Sequence, residues 1–146
     1  MSRVRVTKEF SFDMAHALKD YKGKCENIHG HTYHLAVTII GEVIRENTPR
    51  LGMVLDFGDV KKVVREHIVD VFDHVLVLNE TDSRKDSVSA IDTKLILTPY
   101  QPTAENLLLD FVNRIKTRLP AGVKLHSMKL RETATSYAEW FADDQL

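Results

Sequence analysis

The sequence predicts an α+β fold: a four-stranded antiparallel sheet with two helices on one face, its elements in the order ββααββ. Three observations carry this. In residues 3–16, Val4, Val6, Phe10, Phe12, Met14 and His16 all fall on even positions, which a strand places on one face. Two later stretches show the 3–4 spacing of a buried helical stripe: Val60, Val63, Val64, Ile68, Val71 and Phe72, then Leu107, Leu108, Phe111, Val112, Ile115 and Leu119. Finally, the strand patterns come as two pairs close in sequence, which favours antiparallel pairing and leaves a sheet face for the helices to cover.

Element by element, the segment Lys19–Asn27 is polar, contains Gly23 and reads as a loop. Residues 31–44 form a second strand pattern rich in β-branched residues, including Val37, Thr38, Ile39, Ile40, Val43 and Ile44. Asn47, Pro49 and Gly52 break the chain over 45–52. The first helix is expected from about Asp59 to Asp73, with Asp56 and Asp59 favoured by the N-terminal dipole. Residues 79–89 read as a charged loop, and Leu95–Leu97 as a short strand before Pro99. Thr103 is a good N-cap for the second helix, Glu105 lies in its first turn, and Pro120 and Gly122 end it. Residues 123–132 and 136–142 read as the closing strands. Cover for the sheet's other face points to association between copies of the chain.

The chain has 146 residues, enough for a single domain, 1–146, whose core needs no disulfide or structural metal. Its net charge of −1 supplies no field to attract nucleic acid or an anionic membrane. No apolar run approaches the ~20 residues of a membrane span. A lone cysteine, Cys25, makes no internal disulfide, and Arg3, Arg5, Lys8 and Glu9 interrupt any signal-like run; the expected compartment is the cytoplasm.

The chemistry concentrates in the run CENIHGH, from Cys25 to His31. On a strand, His29 and His31 present two imidazoles to one side, with Gly30 between them allowing close backbone approach. If the first two strands pair through the intervening loop, His16 can lie opposite His31. Three neutral imidazoles with an open fourth position suit a catalytic zinc. A closed site with Cys25 as fourth ligand is the competing arrangement, and two ordinary strand histidines the simplest one. His34, His67 and His126 lack matching geometry. Lys22 and Lys24 flank Cys25 and favour its thiolate, although an ordinary loop cysteine is the plain alternative. Asp73-His74 follows the first helix, either as a carboxylate-oriented acid or base, or as a histidine on the helix C-terminal dipole.

With these residues in view, the chain resembles the 6-pyruvoyltetrahydropterin synthase / 6-carboxytetrahydropterin synthase family along almost its whole length. The resemblance rests on FDMAH ending at His16, CENIHGH, FDH over 72–74, PTAEN over 102–106 and LRET over 130–133, in the family's order. It implies the tunnelling fold, trimers stacked into hexamers with active sites between subunits, and zinc held by His16, His29 and His31. It further implies that Cys25 is the catalytic thiol, assisted by Asp73 and His74. Glu132 would anchor the pterin, a carboxylate being able to accept two of its N–H groups, although a strand-end carboxylate facing water is its plain alternative. Glu105 either lines the pocket or is a helix-start carboxylate. The implied substrate is 7,8-dihydroneopterin triphosphate; Lys22, Lys24 and Arg131 have the charge to attract its triphosphate.

Only Glu26, Asn27 and Ile28 separate Cys25 from HGH. The biopterin-pathway enzymes typically have a longer gap, so the chain looks like the 6-carboxy-5,6,7,8-tetrahydropterin synthases of queuosine biosynthesis, lyases that release acetaldehyde and triphosphate. Glu26 complicates this: a folate-related branch uses a glutamate at this distance to form a 6-hydroxymethyl-dihydropterin, so dual activity and an ordinary loop residue both stand as readings. A 6-pyruvoyltetrahydropterin synthase and, from another class, a zinc-stabilised assembly module without catalysis are the remaining alternatives.

Overall fold

The computed structural model describes residues 2–146. Strand β1 (Arg3–His16) pairs antiparallel with β2 (His29–Glu42) in one long hairpin, Arg3 opposite Glu42 and His16 opposite His29. Helix α1 (Phe57–Val64) runs through a π turn (Arg65–Val69) into α2 (Asp70–Phe72). Then come β3 (Val75–Asn79), α3 (Lys85–Ser89), β4 (Leu95–Thr98), α4 (Ala104–Ile115), β5 (Val123–Thr133) and β6 (Ser136–Phe141).

These strands make one six-stranded sheet in the order β4-β3-β1-β2-β5-β6. The α+β class stands, but the expected four-stranded antiparallel sheet does not. The β1, β2, β5 and β6 strands pair antiparallel, while β3 joins β1 in parallel and β4 joins β3 in parallel. The missed strand, Val75–Asn79, is a short apolar run directly after a helix, and periodicity cannot separate such a run from a helix end. Val75, Val77 and Leu78 are all buried, as expected of a parallel strand covered on both sides. Within residues 79–89, read as loop, the structure forms the end of β3 and the short α3, whose Val88 packs with Ala17 and Leu78.

Both helix starts follow from their caps. Asp56 accepts from the Gly58 N–H at 2.8 Å, and Thr103 accepts from the Asn106 N–H at 3.2 Å. The two helices press Val60, Val64, Ile68 and Phe72, and Leu107, Leu108, Phe111, Val112 and Ile115, onto the inward rows of the sheet. Those rows are Phe10, Phe12 and Met14 on β1, Tyr33, Leu35, Val37 and Ile39 on β2, and Leu125, Met128 and Leu130 on β5. Phe111 sits at the centre, edge-on to Phe12 at 6.0 Å and to Phe72 at 5.1 Å. Arg114 ties α4 to the π turn, lying 4.9 Å from the Phe72 ring centroid and donating to the His67 carbonyl.

The outward face is mostly polar: Arg5, Thr7, Glu9, Ser11 and Asp13 on β1 alternate with the core residues, as do Thr32, His34 and Thr38 on β2. Apolar burial of that face therefore gives little reason for association. Among the described residues, no helix is long and apolar enough to cross a membrane.

Phe111 is 0% exposed and contacts both the sheet and the first helix. Phe111→Ala is expected to destabilise the fold by about 3–5 kcal/mol, read from denaturant unfolding.

Candidate metal centre

The inward rows of β1, β2 and β5 change character at one end of the sheet. Beyond Met14 comes His16; before Tyr33 come His31 and His29; beyond Leu130 comes Glu132. The hairpin register sets His16 opposite His29 and Met14 opposite His31, a two-residue difference from the expected His16–His31 pairing that keeps the same face. All three rings still meet, with centroids 4.7 Å apart for His16–His29, 5.3 Å for His16–His31 and 4.8 Å for His29–His31. One donor atom from each of His16, His29, His31 and Glu132 lies within 4.8 Å of the others, so this group can hold a metal ion.

The ring nitrogens are already sorted. His16 Nδ1 lies 2.7 Å from the Pro102 carbonyl and His29 Nδ1 lies 2.7 Å from the Asn27 carbonyl. A carbonyl only accepts, so each Nδ1 carries its proton and donates, leaving Nε2 as a lone pair. Nε2 of His16 and of His31 are buried without a hydrogen-bond partner. Glu132 Oε1 approaches them to 3.4 and 2.9 Å, but off the direction a hydrogen bond requires. Orphaned, converging nitrogen lone pairs beside a carboxylate fit a divalent cation such as zinc.

The electrostatics agree. Burial lowers the His31 pKa and favours the neutral, ligating imidazole, outweighing the opposing pull of Glu132. The Glu132 carboxyl is held below its ordinary range, first by His16 beside it and then by His31 and His29, against the desolvation that raises it.

Cys25 lies on a short 3₁₀ turn (Lys24–Glu26), partly exposed. Its sulfur is not among the converging donors, so the arrangement does not close into one cysteine and three histidines. Burial first, then Glu132 and Cys25, push up the pKa of the Tyr33 phenol beside the cluster, whose buried hydroxyl has no partner. The alternation 29, 31, 33 placed Tyr33 on this face, yet sequence reasoning passed over it.

The Asp73-His74 pair forms as a unit, with His74 Nδ1 3.0 Å from Asp73 Oδ1. The Asp13 N–H donates to Asp73 at 3.0 Å and, followed by His74, keeps its carboxyl ionised below the ordinary range. The His74 backbone takes the left-handed conformation, φ 60°, where the chain turns from α2 into β3. Its imidazole is 77% exposed and opens onto a depression with Asp13, Ala15, Gly30 and Thr32, the outward residues of the hairpin. The pair and the histidine cluster form two separate groups of donors, although His31 also lines this depression.

The remaining expectations divide. Glu105 is exposed in the first turn of α4 and joins no cluster; its motif instead supplies the Pro102 carbonyl to His16 and the Thr103 cap. Glu26 lies on the Cys25 turn, exposed, beside a depression lined by Lys19, Lys22, Thr81 and Arg84. Arg131 sits over the Tyr137 ring at 4.6 Å and pairs with outward His34, away from the histidines. A Cβ on Gly30 would meet the Met14 carbonyl at an ordinary 3.6 Å, so no close approach depends on that glycine. The partners that orient the rings, the carbonyls of Pro102 and Asn27, left no mark in the sequence because every residue has a carbonyl.

A helix-backed sheet that ends in three imidazoles and a carboxylate defines an α+β protein with a group that can hold a metal ion. The family model for 6-pyruvoyl tetrahydropterin synthase matches residues 5–143, and the chain belongs to that family. The chain is 36% identical to the 6-carboxy-5,6,7,8-tetrahydropterin synthase of Haemophilus influenzae over 140 residues, covering 93% of this chain and 97% of that protein. It is 33% identical to the same-named protein of Rickettsia typhi over 140 residues, covering 93% of this chain and 99% of that one. The 6-pyruvoyl tetrahydropterin synthase structure of Caenorhabditis elegans superposes with a TM-score of 0.69 at 25% identity, over 97% of each chain. An uncharacterized protein from Wolinella succinogenes shares the fold, with a TM-score of 0.82 at 19% identity over 97% of this chain and 99% of that one.

The depressed Glu132 carboxyl contributes stability that is fully present above the ordinary glutamate range and is lost as pH falls through its lower native value. In metal-stripped protein, the wild type is expected to exceed Glu132→Gln in denaturation midpoint near neutrality and to lose that advantage in acid. A gap constant with pH would show that the carboxylate does not feel the imidazoles.

Proposed function

We propose that the chain is a zinc-dependent 6-carboxy-5,6,7,8-tetrahydropterin synthase acting on 7,8-dihydroneopterin triphosphate. The observation that carries this reading is the convergence of His16, His29 and His31 with Glu132, with Nε2 of His16 and of His31 unpartnered, in a chain whose relatives carry that name. The three imidazoles are the ligands. Zinc would supply Lewis acidity toward the substrate's side-chain hydroxyls.

The protein's own groups do the rest. Glu132 accepts N–H groups of the pterin and fixes the ring beside the metal. Cys25, on its lysine-flanked turn, moves a proton on the substrate side chain. His74, oriented by Asp73, is the second acid or base. Its place on the outward face supports a site completed between subunits, in which one chain's pair meets another chain's Cys25. Lyase chemistry, a homo-oligomer of the trimer or hexamer type, a single domain, a cytoplasmic location and a place in queuosine biosynthesis belong to the same reading.

Mass spectrometry after incubation of zinc-loaded protein with 7,8-dihydroneopterin triphosphate is the direct test. The expected products are 6-carboxytetrahydropterin, acetaldehyde and triphosphate. 6-Pyruvoyltetrahydropterin as end product would move the chain to the biopterin branch, and a 6-hydroxymethyl-dihydropterin would give the chemistry to Glu26. Cys25→Ala is expected to abolish turnover with zinc content unchanged. Chelation is expected to leave the fold standing, because the two helices already bury their apolar rows on the sheet without the histidines; loss of the fold would make the metal structural. Co-refolding Cys25→Ala with His74→Ala, each inactive alone, is expected to restore part of the activity through mixed interfaces.

A further inference from the structure

We propose that Arg84 is the positioning residue of the Cys25 turn, held in place by a buried carboxylate on the segment between β3 and β4. This inference rests on the reading of Cys25 as the proton-moving thiol. That segment carries Asp82, only 1% exposed. Asp82 Oδ1 accepts from Arg84 Nε at 3.0 Å, and Oδ2 accepts from Nη2 at 2.8 Å. The Arg84 backbone N–H adds a third bond to Oδ1 at 2.9 Å. A two-point contact of this kind fixes the plane of the guanidinium. The remaining arm, Nη1, is thereby aimed at the Glu26 carbonyl, to which it donates a hydrogen bond.

The turn itself has little rigidity. It is three residues long and has no side-chain cap. Its stiffness comes from three successive carbonyls, each tied to a different element. The Leu18 N–H donates to Cys25 O at 2.8 Å, Arg84 to Glu26 O, and His29 Nδ1 to Asn27 O at 2.7 Å. The first tie leads to the end of β1, and the third to a proposed metal ligand. The middle tie is the only one made by a charged group, and it comes from 58 residues away. Arg84 thus fixes the backbone at the residue after the thiol, and a displacement of about 1 Å there is enough to lower turnover on the order of 100-fold.

The test compares wild type with Arg84→Gln and Arg84→Lys in zinc-loaded full-length protein. It measures zinc content, kcat and KM with 7,8-dihydroneopterin triphosphate, and the pH profile of Cys25 alkylation by iodoacetamide. Arg84→Gln is expected to keep its zinc and a KM within about threefold, to lose at least tenfold in kcat, and to show a shifted alkylation profile. Arg84→Lys still pairs with Asp82 but lacks the planar fork; it serves where Gln leaves Asp82 unpaired and the fold fails. It is expected to retain the fold and show the same kcat loss. Wild-type kcat and an unshifted alkylation profile in a folded variant would overturn the proposal. If the wild type itself turns over no pterin, the functional reading fails, and the alkylation profile alone then decides for or against the hold of Arg84 on the Cys25 turn.

Discussion

The register of the β1–β2 hairpin is the constraint on which the site depends. A strand alternates its side chains with a period of two, so a slip of one residue would send His29 and His31 to the outward face and Gly30 and Thr32 to the core. The apolar pattern forbids that slip, because Phe10, Phe12 and Met14 would have to stay inward while Tyr33, Leu35 and Val37 turned out. Outward polar pairs hold the same register: Thr7 with Thr38 at 2.7 Å, and Thr32 donating to Asp13 at 2.6 Å. The histidine cluster is therefore placed by hydrophobic burial some distance away from it.

The cluster also shows how a core ends. Along each inward row, apolar side chains give way to imidazole or carboxylate within one step: Met14 to His16, Tyr33 to His31, Leu130 to Glu132. A buried imidazole needs a partner on each nitrogen. The Pro102 and Asn27 carbonyls satisfy one nitrogen of His16 and of His29, which points their other nitrogens at a common space. The α4 N-terminal motif and the Cys25 turn thus support the proposed ligands without joining the donor cluster.

Two faces of one sheet carry two halves of the proposed chemistry. The histidines, Glu132 and Tyr33 face the helices, while Asp73 and His74 open to the outside. The proposed site between subunits would bring these halves together, and the polar character of the outward face suits contacts made by specific hydrogen bonds. The segment between β3 and β4 belongs to the first half: it packs Val88 against Ala17 and Leu78 and sends Arg84 across to the Cys25 turn.

The alternation of β1, the helical stripes, the cap at Thr103, and the HxH spacing were all legible in the sequence, because each is a local rule of period or hydrogen bonding over a few residues. These were enough for the α+β class and for the three histidines sharing a face. The parallel pairs β1–β3 and β3–β4 were not legible: a parallel neighbour is joined through a distant crossover, and Val75–Leu78 has no periodicity of its own. Nor were the convergence of Glu132 on the rings, the unpartnered Tyr33 hydroxyl, the Pro102 carbonyl on His16 or the reach of Arg84 to Glu26. Each joins residues far apart in sequence through directions in space, which the spacing of letters does not encode and only the packed sheet decides.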